Sequence, residues 1–163
     1  MDPYLAIASK RDERAYAGTP VPDAVRERIL DAGRLSGSSQ NRQRWEFVLV
    51  SGPARERLAE AVYAPDNVRG AALVVAIVGE AGAFDVGRCA QNMMLAAWGD
   101  GVASCPNGVR DPEAAAVICG GDVRTILSFG YPPRRRAVEG RSADEWSARA
   151  NRKPLSELVR EVD

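Results

Sequence analysis

Phe84-Asp85-Val86-Gly87-Arg88-Cys89-Ala90-Gln91-Asn92-Met93-Met94-Leu95-Ala96-Ala97-Trp98-Gly99-Asp100 is the strongest helical pattern in the chain. Its apolar positions Ala90, Met93, Met94, Ala97 and Trp98 repeat at the i, i+3, i+4 spacing of one helix face, and Gly101 is a natural C-terminal stop. A helix apolar over so much of its circumference, in so small a protein, is more easily buried between two subunits than within one. Just upstream, the unbroken apolar run Ala72 to Val78 reads as a strand buried on both faces, because it does not alternate. Just downstream, Val102 to Cys105 is a short extended piece. Farther out, Trp45 to Val50 reads as a strand ahead of Ser51-Gly52-Pro53, and Ala54 to Val62 as a charged-faced helix. A helix opens at Pro22-Asp23 with Val25, Ile29, Ala32 and Gly33 on one stripe, and Asp2-Pro3 caps another that ends near Ser9. Asp111-Pro112 starts a further helix, Val123 to Tyr131 is a strand, and Pro132 opens a polar tail ending in an amphipathic turn. The expectation is α+β: one domain over residues 1–163, a mixed sheet flanked by helices, and residues 132–163 as an extended C-terminal arm.

The chain has 163 residues, and area scaling lets about 69% of its unfolded surface be buried, enough for a core without staples. Twenty-two basic side chains balance 22 acidic ones, so no global field draws a polyanion, and nucleic acid is not an expected partner. The longest apolar run is far short of a membrane span, and the N-terminus lacks a secretory pattern, which together suggest the cytoplasm. Three cysteines without CxxC spacing argue against a disulfide framework or a zinc knuckle, and no metal site is expected. Histidine is absent, which removes Ser-His-Asp, Cys-His and His-zinc chemistry. Catalysis must come from carboxylates, Lys, Tyr, Cys or a cofactor.

Three polar segments are candidates for binding. Lys10-Arg11-Asp12-Glu13-Arg14 sets three cations in five residues, suited to a phosphate or to a solvated face. Ser36 to Gln43 can cradle an anion or a heterocycle, or be a plain loop. Pro106-Asn107-Gly108 can turn backbone N–H groups to a ligand, or be a simple turn. Gly79-Glu80-Ala81-Gly82 lacks both GxGxxG and GxxxxGK[ST], and Met93-Met94 reads as packing. Arg134-Arg135-Arg136, without interleaved aromatics, reads as a solvated loop or an intersubunit contact.

In order, these pieces resemble the flavin-dependent nitroreductase family. Ser38-Ser39-Gln40-Asn41-Arg42-Gln43-Arg44-Trp45-Glu46-Phe47 is similar to the family's Ser-Ser-x-Asn-x-Gln-Pro-Trp-x-Phe signature. Asp85-Val86-Gly87-Arg88-Cys89-Ala90-Gln91-Asn92-Met93 resembles its central helix, and Lys10 to Tyr16 its opening motif of basic residues and an aromatic. Gly130-Tyr131-Pro132 and Arg152-Lys153-Pro154-Leu155 resemble its closing strand and tail. The resemblance implies an intertwined homodimer with FMN at two interfacial sites. Lys10 and Arg11, with Arg152 from the tail, would grip the phosphate and ribityl end, and Asp12 stands there in place of the family's serine. Arg14 would face the pyrimidine edge. Ser38, Ser39 and Asn41 would reach phosphate and ring from the partner subunit, and Asn67 would touch the flavin edge. Pro106, Asn107 and Gly108 match the segment whose backbone N–H faces flavin N5, with Asn107 in place of an often acidic residue.

The same resemblance implies an oxidoreductase in which the flavin does the chemistry, no side chain is catalytic, and Arg14 and Asn107 tune it. NAD(P)H would deliver hydride, and a nitroaromatic, quinone or other flat acceptor would take it in a ping-pong cycle. The competing expectations are a flavin-storage dimer without turnover and, disfavoured by the neutral charge, a nucleic-acid accessory.

Overall fold

The computed structural model describes residues 2–134 and 137–162, in two compact units. The larger comprises residues 11–136 and the smaller residues 1–10 with 137–163. Seven α-helices and four strands are assigned among the described residues: α1 Pro3–Ser9, α2 Asp23–Arg34, β1 Glu46–Leu49, α3 Gly52–Glu60, α4 Pro65–Arg69, β2 Leu73–Val78, α5 Ala83–Gly99, β3 Ala103–Asn107, α6 Pro112–Cys119, β4 Val123–Gly130 and α7 Ala143–Ala148.

The sheet of the larger unit has strand order β1-β2-β4-β3, and every adjacent pair is antiparallel. This corrects the expected mixed sheet. β2 and β3, joined through α5, point the same way, but β4 is inserted between them and runs against both. Among the described residues, parallel pairing survives only as an isolated bridge between Asp12 and Ser104.

The run of β2 is explained by cover on both sides. Val75 and Ile77 face one core with Ile29, Met93, Leu127 and Phe129. Val74, Ala76 and Val78 face the other, with Leu58, Val62, Val68 and Ile126. Helices α2 and α5 lie over the first face, and α3, α4 and α6 over the second.

The apolar stripe of α5, which by sequence is more easily buried between subunits, is already buried within one chain. Val86, Cys89, Ala90, Met93, Met94, Ala97 and Trp98 are buried, and α2 covers much of that face. Close approach of α2 depends on Gly33, where a Cβ would lie 2.8 Å from Phe47 Cζ and 2.9 Å from Met93 Sδ. What α5 leaves exposed is a different stripe, from Phe84 through Gly87 and Arg88 to Gln91.

In the smaller unit Asp2 Oδ1 caps α1 by accepting from the Leu5 N–H at 2.9 Å, with Pro3 in the first turn. The arm is not extended throughout. Ser142 and Glu145 form a reciprocal capping box that starts α7, and α7 packs on α1. Trp146 Nε1 donates to Val138 O at 2.9 Å. Leu155, Leu158, Val159 and Val162 of the tail are all exposed. Arg134 is described, while Arg135 and Arg136 of the arginine run lie outside the described residues. No described helix is long and apolar enough to cross a membrane.

Candidate functional site

The charged connector after α1 is fastened to the sheet edge. Asp12 bridges Ser104 of β3, and the Glu13 N–H donates to Ser104 O at 3.1 Å. The Ala17 N–H donates to Tyr131 O at 2.7 Å, so both ends of segment 12–17 are tied to the β3–β4 edge. Within it Arg11 is half-buried and Asp12 and Arg14 are exposed. Arg14 carries no ion pair among the described residues, so its guanidinium presents its donors to whatever approaches. Lys10 caps α1 in the smaller unit, its N–H donating to Ala6 O at 3.0 Å, and Arg152 is exposed in the tail.

Tyr16, given no role from sequence, holds this segment. Its hydroxyl donates to Glu13 O at 2.9 Å, with Ser128 O a longer alternative at 3.2 Å, and it shares a 2.9 Å hydrogen bond with Ser128 Oγ. Burial pushes the phenol pKa well up, against the opposing pull of the Ser128 bond. The ring lies flush on the backbone at Gly130, where a Cβ would come within 2.8 Å of Tyr16 Cγ.

Pro106-Asn107-Gly108 closes β3. Pro106 sits on an edge strand, the place in a sheet where its missing N–H is tolerated, and both Pro106 and Gly108 are exposed. The Asn107 side chain turns inward: its Nδ2 lies 3.0 Å from Cys105 O, 3.1 Å from Ser128 Oγ and 3.3 Å from Ile126 O. Its Oδ1 accepts from Asn67 Nδ2 of α4 at 3.1 Å. Both amides are buried. Gly108 O accepts from the Tyr63 N–H at 3.1 Å, and the exposed Tyr63 ring leans on the same turn.

The serine loop is built elsewhere, at the start of α5. Asp85 Oδ2 accepts from the Ser39 N–H at 2.9 Å, and Ser38 Oγ accepts from the Gln43 N–H at 2.9 Å. Gln40, Asn41 and Gln43 all take positive φ, a tight path that turns the backbone outward around the 3-10 turn Ser39–Asn41. Asn92 of α5 adds a 2.8 Å bond to Ser36 Oγ. The acid and amide of the central-helix motif are therefore the supports of the serine loop, a role not evident from sequence. One chain thus gathers Arg11, Asp12, Arg14, Asn67 and Pro106–Gly108 around β3, and holds Ser38, Ser39 and Asn41 at the beginning of α5.

Described residues contain no cluster of His, Cys, Asp and Glu able to hold a metal. The three thiols are free and buried. Burial pushes Cys89 from 9.0 up to about 11, Ser36 opposing, and pushes Cys119 upward as well. For acids raised by folding, the neutral form is favoured in the native state. Their contribution is complete below pH 9.0 and is lost as pH climbs toward about 11. We therefore expect native protein at pH 8 to resist iodoacetamide, three thiols to react after unfolding in urea, and stability to fall between pH 9 and 11. Rapid native labelling of Cys89 would contradict the packing described.

The sequence model of the nitroreductase family matches residues 7–80, somewhat under half of the chain. A NADH dehydrogenase of Thermus thermophilus is 33% identical over 78 residues, 47% of this chain but 38% of that protein, so the match spans well under half of the relative's length. Among solved structures, the FMN complex of a nitroreductase from Desulfovibrio desulfuricans superposes with a TM-score of 0.80 at 24% identity, covering 100% of this chain and 98% of that one. The NADPH:FMN oxidoreductase of Vibrio harveyi, complexed with NAD+, gives 0.82 at 21% identity, covering 97% and 76%.

Proposed function

From a chain that has the nitroreductase fold and matches the nitroreductase family over residues 7–80, we propose an FMN-dependent oxidoreductase that takes hydride from NAD(P)H and reduces a flat acceptor such as a quinone or nitroaromatic. The observation that carries the reading is the fastening of segment 12–17 to β3 through the 3.1 Å Glu13–Ser104 bond, which sets Arg14 beside the strand that ends in Pro106–Gly108. When bound, FMN would supply two-electron redox chemistry at N5.

The donor set fits such a ligand: cations for a phosphate and for a reduced, negatively charged ring edge, neutral hydroxyl and amide donors for the rest. Lys10, Arg11 and Arg152 would neutralise the phosphate. Arg14 would hold a fixed positive charge at the pyrimidine edge, worth more to the reduced ring than to the oxidised one. Asn107, bonded to four partners of its own chain, would keep the turn at Gly108 in one conformation. Ser38, Ser39 and Asn41 would donate from a second copy, whose acquisition also answers the exposed apolar tail.

That second copy gives the reading a test. Wild-type protein should bind FMN with quenching of its fluorescence and run as a dimer in solution. Leu158→Asp with Val159→Asp, both exposed in one chain, should shift the mass toward the monomer and weaken FMN binding together. A monomer that binds FMN as tightly as wild type would refute the shared site.

A further inference from the structure

We propose that the buried chain Tyr16–Ser128–Asn107–Asn67 is a positioning device that locks the Arg14-bearing loop to the Pro106–Gly108 turn. It rests on the flavin reading above and names the residues that align its parts without touching the ligand.

Each of the four residues comes from a different piece of the larger unit: the connector, β4, β3 and α4. The chain is continuous, from the 2.9 Å Tyr16–Ser128 bond through Ser128 Oγ to Asn107 Nδ2 at 3.1 Å and Asn107 Oδ1 to Asn67 Nδ2 at 3.1 Å. Ser128 Oγ also reaches Cys105 O at 3.2 Å, on the strand that leads into the turn. Three of the four are buried, so breaking one link strands a neighbour's donor or acceptor, and the network has one low-energy arrangement. At its outer end, the Tyr16 bond to Glu13 O closes the loop of residues 13–16 that carries Arg14. At its inner end, Asn107 cannot turn without dropping bonds to β3 and β4. The phenol, its pKa raised by burial, acts as donor and acceptor and not as an acid.

An ordinary polar core would also be satisfied in this way, and the two ideas differ in what moves. Tyr16→Phe keeps the ring against Gly130 and deletes only the hydroxyl. In flavin-free protein it should speed amide exchange at 11–17 and also at 104–109. In the FMN titration it should raise Kd about tenfold and make the flavin midpoint potential more negative. Ser128→Ala should give the same two-segment pattern, and the double variant should be no worse than the poorer single one, because both cut one chain. Ile29→Ala, on α2 in the core of the opposite sheet face, should lower Tm yet leave FMN Kd within twofold. Wild-type protein that binds no FMN would sink the flavin reading and the inference with it. If wild type binds FMN, a Kd within twofold in both variants, or faster exchange confined to 11–17, overturns the device and leaves the flavin reading standing.

Discussion

Replacing Arg14 with glutamine is expected to weaken FMN binding by about 10- to 150-fold, the equivalent of one charge-assisted hydrogen bond of about 1.5–3 kcal/mol. Arg14 is exposed and holds no ion pair among the described residues, so its removal leaves no buried partner stranded. Stability should change by no more than about 0.5 kcal/mol, which separates loss of binding from loss of fold. The charge would matter more to the reduced ring than to the oxidised one. The midpoint potential should therefore fall, by about 30 mV for each 1.4 kcal/mol of differential stabilisation lost. Arg14→Lys restores the charge without the planar fork and should recover the potential better than the affinity. Titration of FMN fluorescence and dye-equilibrated reduction measure the two quantities. An Arg14→Gln protein with wild-type affinity and potential would remove the connector from the site.

Phe129→Ala should cost about 3–5 kcal/mol of folding stability. Phe129 is fully buried on β4, between the strand partners Leu73 of β2 and Ser104 of β3, within the core that α2 and α5 cover. Its neighbours in sequence are Ser128, which bonds Tyr16, and Gly130, on which the Tyr16 ring lies. The cavity left by the ring opens into the core under α2 and α5, on the face of β4 away from Ser128 and Gly130, so the loss should fall on stability first. A domain of ordinary stability has about 5–15 kcal/mol in hand, so the variant should fold but unfold at much lower urea. A shift of less than about 1 kcal/mol would mean that β4 is not the centre of the core.

Legibility in the sequence varies with the physics involved. Helix α5 is readable because one face of it repeats over four turns, and β2 because burial on both faces removes alternation altogether. Pairing direction is not readable: the run of β2 suits a parallel strand, and only β4 lying between β2 and β3 makes the sheet antiparallel. Helix α4 has five residues, too few for a periodic signal, although it brings Asn67 to the end of β3. Helix α7 does have a signal, Ser142 with Glu145 three residues later, hidden in a tail whose composition reads as polar and extended. The motifs Ser38–Phe47 and Asp85–Met93 are far apart in the chain, and the Asp85–Ser39 bond explains why they occur together. Tyr16 stands in the opening motif as its aromatic, but its bond to Ser128, 112 residues away, exists only in the fold.

The most direct measurement is to load the protein with FMN, exclude oxygen, and add NADH and NADPH in separate cuvettes while monitoring the yellow absorbance. The account predicts that at least one donor bleaches it and that a quinone then restores the colour. Protein that takes up FMN yet stays yellow with both donors would contradict it.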